Sequence, residues 1–397
     1  MPGFELFGEK ERKEVMDVLD SGVLMRYGFD GMRMGHWKAK ELERELAHRM
    51  GSKYAQLVSS GTAALTVALA SGGIGAGDEV IMPTFTFVAS FEAILALGAI
   101  PVLVDVDDTL TLDPKAVAQA ITKRTKAIMP VHMCGSMANL RALKQVCEDY
   151  GLLLVEDACQ AIGGTYEGKP LGSYGDFGCF SFDFVKTVTS GEGGALITHR
   201  EEHYRNADRY SDHGHDHIGT DRGAETHPFL GYNFRISELH AAVGLAQLRR
   251  LDEFLAMQKK SYSILREALE DLPGVQFRRV PTGGEESYAF LSFFLPDAKT
   301  AQAVHVQLGK AGLDGCFYWY DNNWHYYRQW EHLWKQKSLG KLALEVRDSL
   351  PSYGSKDFSN SDHWIGRNIS CLIKLGWTEE EVHKRAREMV KVIRELT

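Results

Sequence analysis

Short apolar runs alternate with helix-like segments through the first half of the chain. The runs lie within residues 80–104, 127–131, 152–156 and 194–198. Unbroken apolar runs of this length are typical of parallel strands that are buried on both faces. The alternation therefore predicts an α/β fold, in which helices cover both sides of a mainly parallel sheet.

The second half begins with apolar residues at helical spacing over residues 237–257, without a break before Gln258. We expect one helix here, linking a large domain of residues 1–250 to a small domain of residues 251–397. The small domain is predicted to contain strands near residues 288–295 and a charged helix over residues 378–396. A chain of 397 residues exceeds what one core usually supports, which agrees with two domains.

Composition excludes several classes of protein. The hydrophobic fraction of 44% is that of a soluble globular protein, and no run approaches the ~20 apolar residues of a membrane span. A net charge of -8 argues against a nucleic-acid surface. Residues 1–5 lack the basic and apolar regions of a signal peptide. We therefore expect a cytoplasmic protein that binds neither nucleic acid nor membrane.

Lys186 is the first candidate for chemistry. It follows the sequence Ser-Phe-Asp-Phe-Val and precedes the glycine-rich residues 190–194. A partly desolvated lysine amine loses its proton more easily and can attack an aldehyde, which is the chemistry of pyridoxal 5'-phosphate (PLP). The lysine alone is weak support, because most lysines and arginines of a soluble chain are solvated surface charges.

A possible phosphate site lies upstream, at Ser60, Gly61 and Thr62. These residues stand between the apolar residues 54–58 and the helix-like residues 63–70. A strand, a turn of small residues and a helix start offer free backbone N–H groups and a positive dipole end to a phosphate. Taken alone, the turn is more simply explained as an ordinary N-cap.

Asp157 ends the apolar run of residues 152–155, at the edge where open α/β sheets bind ligands. A carboxylate there can pair with the protonated pyridine nitrogen of PLP. The alternative, that Asp157 caps the following helix, is equally plausible without the lysine. The order of the phosphate turn, Asp157 and Lys186 favours the cofactor.

Two further blocks complete a pattern: Gly-Glu-Gly-Gly at residues 191–194 and Gly-Tyr-Asn-Phe-Arg-Ile-Ser-Glu at residues 231–238. From about residue 40 to its end, the chain closely resembles the DegT/DnrJ/StrS sugar aminotransferases. The resemblance implies fold type I of the PLP-dependent transferases. It implies a mainly parallel seven-stranded sheet in the large domain and a smaller C-terminal α/β domain.

The resemblance also implies the roles of the site residues. Lys186 would hold the cofactor covalently, Asp157 would meet the pyridine nitrogen, and Gln160 would lie near the ring hydroxyl. Phe87 would stack on the ring. The phosphate would be held by Gly61, Thr62 and Ser181, beside Ser60, and by Asn233 of the neighbouring subunit. A homodimer with shared active sites follows from the last assignment.

The implied reaction moves the amino group of L-glutamate to a sugar carbonyl, with Lys186 transferring the proton. One rival is a sugar dehydratase, but in the dehydratases of this family a histidine replaces the lysine. The other rival is a PLP-binding sensor without turnover, and no DNA-binding module is appended here. Lys186 and the near-complete site favour transamination.

Substrate choice is expected from two unusual segments, residues 27–37 and residues 317–327. In the second segment Trp319, Tyr320 and His325 can stack on sugars and bond their hydroxyls, or else form an aromatic core. Overall likeness favours the branch that makes 8-amino-3,8-dideoxy-manno-octulosonate for lipopolysaccharide, from an 8-oxo acceptor with a carboxylate. Arg26 and Arg33 can pair with that carboxylate or remain surface charges. The alternative acceptor is a nucleotide-linked keto-deoxysugar.

Cysteines and histidines raise the question of a metal. The six cysteines form no C-x-x-C pair and are interpreted as reduced core thiols. His213, His215 and His217 alternate in a loop rich in glycine and aspartate. Such histidines more often line a polar surface, so we expect no metal site.

Overall fold

A seven-stranded sheet forms the centre of the computed structural model, which describes residues 3–218, 224–349, 353 and 356–397. The strand order is β1-β9-β8-β5-β4-β2-β3. The strands are β1 (Tyr54–Val58), β2 (Glu79–Pro83), β3 (Ile100–Val104), β4 (Thr125–Ile128), β5 (Leu153–Asp157), β8 (Phe177–Ser181) and β9 (Gly194–Thr198). Among the described residues, β9 pairs antiparallel with β1 and with β8, and the other neighbouring strands of this sheet are parallel. The predicted α/β fold with a mainly parallel sheet is confirmed.

Helices cover both faces of the sheet. They are α1 (Glu9–Ser21), α2 (Lys38–Arg49), α3 (Gly61–Ser71), α4 (Val88–Leu95), α5 (Pro114–Ala120), α6 (Leu140–Tyr150), α7 (Glu201–Tyr210) and α8 (Glu238–Leu248). Val80 and Met82 pack towards α3 and α4, whereas Ile81 between them packs towards α5 and α6. The apolar runs of the sequence are continuous because successive strand residues enter two different cores.

The helix expected over residues 237–257 is two helices, and this prediction was wrong. Helix α8 ends at Leu248, and α9 (Leu251–Leu269) begins after a turn and continues past the lysines at 259 and 260. Arg250 stabilises the turn, because its Nη1 donates to the Leu6 carbonyl at 2.6 Å. Leu248 and Leu251 are both buried, so the apolar periodicity runs through the turn without showing it.

The C-terminal part contains a four-stranded antiparallel sheet of order β10-β12-β14-β13. Its strands are β10 (Gln276–Phe277), β12 (Phe290–Phe294), β13 (Cys316–Phe317) and β14 (Asn368–Leu372). Its helices are α9, α10 (Ala298–Lys310), α11 (Glu331–Trp334), α12 (Leu344–Ser349), α13 (Ser359–Gly366) and α14 (Glu379–Leu396). The predicted strand near residues 288–295 and the terminal helix are present as β12 and α14.

A three-stranded sheet joins the two parts of the chain. In it β11 (Gly284–Glu285) pairs with β6 (Thr165–Tyr166), which pairs with β7 (Lys169–Pro170). The division at residue 250 stays a prediction. Among the described residues, no helix has both the length and the apolar character needed to cross a membrane.

A buried ion pair and backbone hydrogen bonds fix residues 27–37 against the helices that follow. Arg33 is 1% exposed, its Nη1 lies 3.4 Å from Glu238 Oε1, and its Nε donates to the Gly28 carbonyl at 2.6 Å. Glu238 Oε2 also accepts the backbone N–H of Lys38 at 2.6 Å. These contacts connect the segment to the start of α8 and to α2.

Replacing Arg33 by alanine is expected to destabilise the protein by about 3–5 kcal/mol, because it leaves the Glu238 carboxylate buried without its partner. Urea unfolding of the Arg33→Ala variant measures this change. Arg12→Ala is the matched control, since the pair of Arg12 with Glu9 is exposed and contributes at most about 1 kcal/mol. Equal losses in the two variants would contradict the structural role of Arg33.

Candidate active site

A cavity of about 280 Å³ lies at the carboxyl edge of the large sheet. It is lined by the residues that follow β1, by the ends of β5 and β8, and by the loop before β9. All the predicted cofactor residues except Asn233 line it: Ser60, Gly61, Thr62, Phe87, Asp157, Gln160, Ser181 and Lys186. His325 of the C-terminal part also lines it. The location agrees with the rule that open α/β sheets bind ligands beyond the carboxyl ends of their strands.

The N-terminus of α3 faces this cavity. Ser60 is the N-cap, and its hydroxyl accepts the backbone N–H of Ala63 at 3.0 Å, so the capping interpretation is correct for Ser60. The first N–H groups of a helix have no partner within it and suit an anion. A Cβ at Gly61 would lie 2.7 Å from Ser181 Cβ. Glycine is therefore needed for α3 to begin so close to β8.

The two consecutive acids at the end of β5 have different roles because their side chains point to opposite faces of the sheet. Glu156 is buried, its Oε2 lies 2.9 Å from His132 Nε2, and its carboxylate accepts the backbone N–H groups of Gly172, Tyr174 and Gly175. Asp157 points into the cavity, and its Oδ1 accepts the backbone N–H of Cys159 at 3.1 Å. Asp157 is thus the acid available to a ligand.

Ser90 is a site residue that the sequence analysis missed. Its hydroxyl donates to Asp157 Oδ2 at 2.7 Å and bonds the Thr86 hydroxyl at 2.7 Å. It therefore holds the carboxylate in one orientation. A signal was present, because Ser90 is a polar residue in the first turn of helix α4, where the residues on either side of it, Ala89 and Phe91, are apolar.

Backbone bonds hold the loop that carries Lys186. The Lys186 N–H donates to the Asp183 carbonyl at 3.0 Å, and the Lys186 carbonyl accepts the N–H of Gly3 at 2.9 Å. The side chain of Lys186 is half-buried and lines the cavity. On the opposite wall, Gln160 Oε1 accepts the Cys134 N–H at 3.1 Å, which fixes the Gln160 amide.

His325 brings the C-terminal part into the cavity. Burial, together with the charge of Lys186, lowers the pKa of His325 to about 3, so the ring is neutral at working pH. Asn322 Oδ1 accepts the Trp324 N–H at 3.0 Å and lies 2.8 Å from His325 Nδ1. Because that oxygen is an acceptor, Nδ1 carries the proton and Nε2 keeps a lone pair.

Phe87 has an aromatic partner in the segment of residues 317–327. Its ring stacks on Trp324 with the centroids 5.4 Å apart and the planes 10° from parallel. The backbone of residues 85–88 is bonded to the segment as well, because the Thr86 N–H donates to the His325 carbonyl at 3.0 Å. The cavity wall is therefore continuous from α4 to His325.

Several predicted substrate residues lie away from the cavity. Trp319 is 3% exposed, stacks on Phe317 at 4.6 Å and belongs to the hydrophobic core. Tyr320 packs on Tyr326, also outside the lining. The alternative interpretation, an aromatic core, therefore describes these two residues, and only His325 of the three reaches the cavity.

The side chains of three further predicted site residues, Arg26, Arg33 and Asn233, bond to residues outside the cavity. Arg26 is buried and its Nη2 donates to Glu43 Oε1 at 2.6 Å, while Arg33 pairs with Glu238 as described. Asn233 is exposed, and its Oδ1 accepts the Arg235 N–H at 3.2 Å. Within one protomer the structure does not bring these three side chains to Lys186.

Ligand atoms of Asp212, His215 and His217 lie within 4.8 Å of one another, which is compatible with a metal ion. His217, however, bonds Asp208 through Nδ1 at 2.8 Å and Asp212 through Nε2 at 3.0 Å. These bonds raise the pKa of His217 to about 9, so the ring is cationic and both nitrogens are occupied. Arg235 pairs with Asp212 too. The predicted absence of a metal stays a prediction.

The cavity fits PLP by the chemistry of its donors. The start of α3 can bind the phosphate, Asp157 can face the ring nitrogen, Phe87 can contact the ring, and Lys186 can meet the aldehyde. The missing Cβ at Gly61 lets the Ser181 side chain pack against the start of α3, so the Ser181 hydroxyl lies beside the predicted phosphate site. When bound, PLP supplies an electron sink that makes a proton next to an amino group removable.

The fold and this cavity define a PLP-dependent transferase of fold type I. Residues 6–384 match the model of the DegT/DnrJ/EryC1/StrS aminotransferase family, so the chain belongs to this family and is a PLP-dependent aminotransferase. The expected family, fold, enzyme class and cofactor are thereby confirmed.

Similar proteins and solved structures illustrate the family. The chain is 39% identical over 320 residues to 3-amino-5-hydroxybenzoate synthase of Amycolatopsis mediterranei, covering 79% of each chain. A solved structure of an enzyme of that name covers 98% of this chain and 97% of its own, with a TM-score of 0.83 and 31% identity. GDP-perosamine synthase of Vibrio cholerae is 36% identical over 286 residues, covering 72% of this chain and 74% of its own.

Another solved structure is that of a putative sugar aminotransferase of Streptococcus pneumoniae in its PLP form. It has a TM-score of 0.79 and 25% identity, over 98% of this chain and 97% of its own.

Replacing Asp157 by asparagine is expected to preserve the fold and slow the half-reaction with the amino donor, on the order of 10²-fold. The amide oxygen can still accept the Cys159 N–H, and the amide NH2 can donate to the Ser90 hydroxyl oxygen, but the neutral amide cannot stabilise a protonated ring nitrogen. Single-turnover kinetics measure the rate. Ser90→Ala is the control and should lose less, because the carboxylate remains. A full rate in Asp157→Asn would show that another group faces the nitrogen.

Proposed function

We propose that the protein transfers the amino group of L-glutamate to the carbonyl of a sugar, specifically the C8 aldehyde of 8-oxo-3-deoxy-manno-octulosonate. The observation that carries the first part is the meeting of Lys186, Asp157 and the start of α3 in one cavity. The specific acceptor rests on the overall likeness described for the sequence. The product is 8-amino-3,8-dideoxy-manno-octulosonate, a lipopolysaccharide sugar.

Lys186, Asp157 and His325 each have a role in this reaction. The Lys186 amine holds and moves the proton between the substrate carbon and the cofactor. Asp157, oriented by Ser90, stabilises positive charge on the nitrogen that faces it. Neutral His325 keeps an acceptor, Nε2, for a hydroxyl of the substrate without adding a second cation beside Lys186.

A nucleotide-linked keto-deoxysugar is the second candidate acceptor. The similarity to GDP-perosamine synthase favours it, because that enzyme is named for a GDP-linked product. In addition, Arg26 pairs with Glu43 and Arg33 pairs with Glu238, so neither of these two arginines is available to the octulosonate carboxylate.

An acceptor panel tests the proposal. The PLP-loaded protein is incubated with L-glutamate, or with L-glutamine, and with the octulosonate aldehyde or nucleotide-linked keto-deoxysugars, and the amine product is identified by mass. We expect the octulosonate amine with L-glutamate. Turnover with the nucleotide-linked sugars but not with the octulosonate aldehyde would overturn the proposed acceptor. If no combination of donor and acceptor gives an amine product, the proposed sugar aminotransferase activity is wrong.

Replacing Lys186 by alanine is expected to abolish transamination and the visible absorption band of the bound cofactor, because the cavity lining contains no other lysine. Lys169→Ala, at an exposed lysine, is the control and should keep both properties. Absorption spectra and product formation measure the two effects. A Lys186→Ala variant that turns over at the wild-type rate would disprove the assignment.

We propose further that two protomers build each active site. Large apolar side chains are exposed, including Leu230 at 77%, Met34 at 69% and Phe184, two residues before Lys186, at 51%. Exposed apolar surface of this kind is typical of protein interfaces. Asn233 is exposed three residues after Leu230, so its side chain is available to the phosphate of a partner subunit.

Mixing two inactive variants tests the shared site. Asn233→Ala and Lys186→Ala are each expected to be defective, but a heterodimer should contain one site with both defects and one with neither. Activity should return, up to a quarter of the wild-type level, when the variants are unfolded, mixed and refolded. The estimate of about a quarter assumes random pairing, with half the dimers mixed and half their sites intact.

Heterodimer formation is verified separately with two affinity tags. If tagged heterodimers form and remain as inactive as their components, Asn233 acts within its own chain and the shared site is wrong.

A further inference from the structure

Two cysteines face each other across the small antiparallel sheet. Cys316 of β13 is the register partner of Cys371 of β14, and their Sγ atoms lie 2.8 Å apart. All six cysteines are free thiols in the structure. This separation is shorter than the 3.8 Å hydrogen-bond contacts of the Cys147 and Cys159 sulfurs, although no covalent bond joins Cys316 and Cys371.

The backbone at this pair suits a disulfide. The Leu372 N–H donates to the Gly315 carbonyl at 2.8 Å, which makes the adjacent residues 315 and 372 the hydrogen-bonded pair. Hydrogen-bonded and non-hydrogen-bonded pairs alternate along an antiparallel ladder, so Cys316 and Cys371 form a non-hydrogen-bonded pair. Such pairs have their Cα atoms about 4.5 Å apart, within the roughly 4.4–6.8 Å span of disulfides.

The surroundings make Cys316 the attacking thiol. It is partly exposed, whereas Cys371 is 2% exposed. The Cys371 thiol, with the charge of Arg385, lowers the pKa of Cys316, whereas burial and the nearby Cys316 raise that of Cys371. Arg385 is held beside the pair because its Nη1 lies 2.9 Å from Asp314 Oδ1. Thiolate character and exposure favour oxidation, so Cys316 reacts first.

We propose that Cys316 and Cys371 are a redox modification site that forms a reversible intramolecular disulfide with a peroxide oxidant. The Cys316 thiolate attacks one oxygen of hydrogen peroxide, the O–O bond breaks, and a sulfenic acid and water result after protonation. The Cys371 thiol then attacks the sulfenic sulfur, the S–O bond breaks, and a second water leaves. Two thiols are oxidised and one peroxide is reduced. A dithiol reverses the step by exchange.

The disulfide would close a loop that contains part of the active site. Residues 317–370 lie between the two cysteines and include His325, which lines the cavity. Cross-linking the ends of this loop reduces the freedom of the unfolded chain. The oxidised protein is therefore expected to be more resistant to unfolding, and the modification would act on the segment that joins the C-terminal part to the cavity.

Peptide mapping of the full-length protein tests the proposal. The protein is treated with graded hydrogen peroxide, free thiols are alkylated, and the digest is analysed by mass spectrometry without reduction. We expect a disulfide-linked peptide pair carrying Cys316 and Cys371, lost on treatment with dithiothreitol. The Tm should rise by several degrees on oxidation and return on reduction.

Variants separate this pair from the other thiols. Cys316→Ser and Cys371→Ser should each lose the Tm rise, whereas Cys147→Ser, at a buried cysteine in α6, should keep it. The proposal is overturned if both thiols remain alkylated, if Cys316 proceeds to sulfinic acid without the linked peptide, or if the disulfides formed join two chains. Peptide mapping of the unsubstituted protein shows whether Cys316 and Cys371 form the disulfide even if a variant fails to fold.

Discussion

The close approach of α3 to β8 is the contact on which the active site depends. A Cβ at Gly61 would fall 2.7 Å from Ser181 Cβ, and a Cβ at Gly194 would fall 2.3 Å from the Ser60 carbonyl oxygen. Any other residue at these positions would push the helix away from the strand ends. Two missing side chains thus set the distance between the helix N-terminus and the loop that bears Lys186.

A second layer of contacts orients the chemical groups. Ser90 holds Asp157 from α4, and the segment of residues 317–327 holds the loop before α4 through the bond from Thr86 to His325. The C-terminal part of the chain therefore contributes to the geometry of Asp157 through these bonds. A substitution in the aromatic segment would affect the carboxylate through three consecutive hydrogen bonds, from His325 to Thr86, from Thr86 to Ser90 and from Ser90 to Asp157.

The sequence predicted the parts of the structure that are determined locally. The apolar run before Asp157 indicated a buried strand, and the order of Gly61, Asp157 and Lys186 indicated the cavity. Residues with distant partners were missed or misplaced. The turn between α8 and α9 depends on the bond from Arg250 to Leu6, and Arg33 is neutralised by Glu238.

The aromatic segment shows a different limit of sequence analysis. Trp319 and His325 belong to one run of similar composition, yet one packs in the core and the other reaches the cavity. Composition gives the ability to stack, whereas the direction of each side chain is set by tertiary packing.

The reversed direction of β9 has a consequence for how this site can change. Because β9 pairs antiparallel with β8, the Lys186 loop is a hairpin connection that needs no crossover helix. Its two ends are fixed by main-chain bonds of the ladder, from Gly178 with Ile197 to Ser181 with Gly194. The residue at position 186 can therefore be exchanged without disturbing the sheet. Such an arrangement lets evolution alter the chemistry performed at one position while the scaffold around it remains constant.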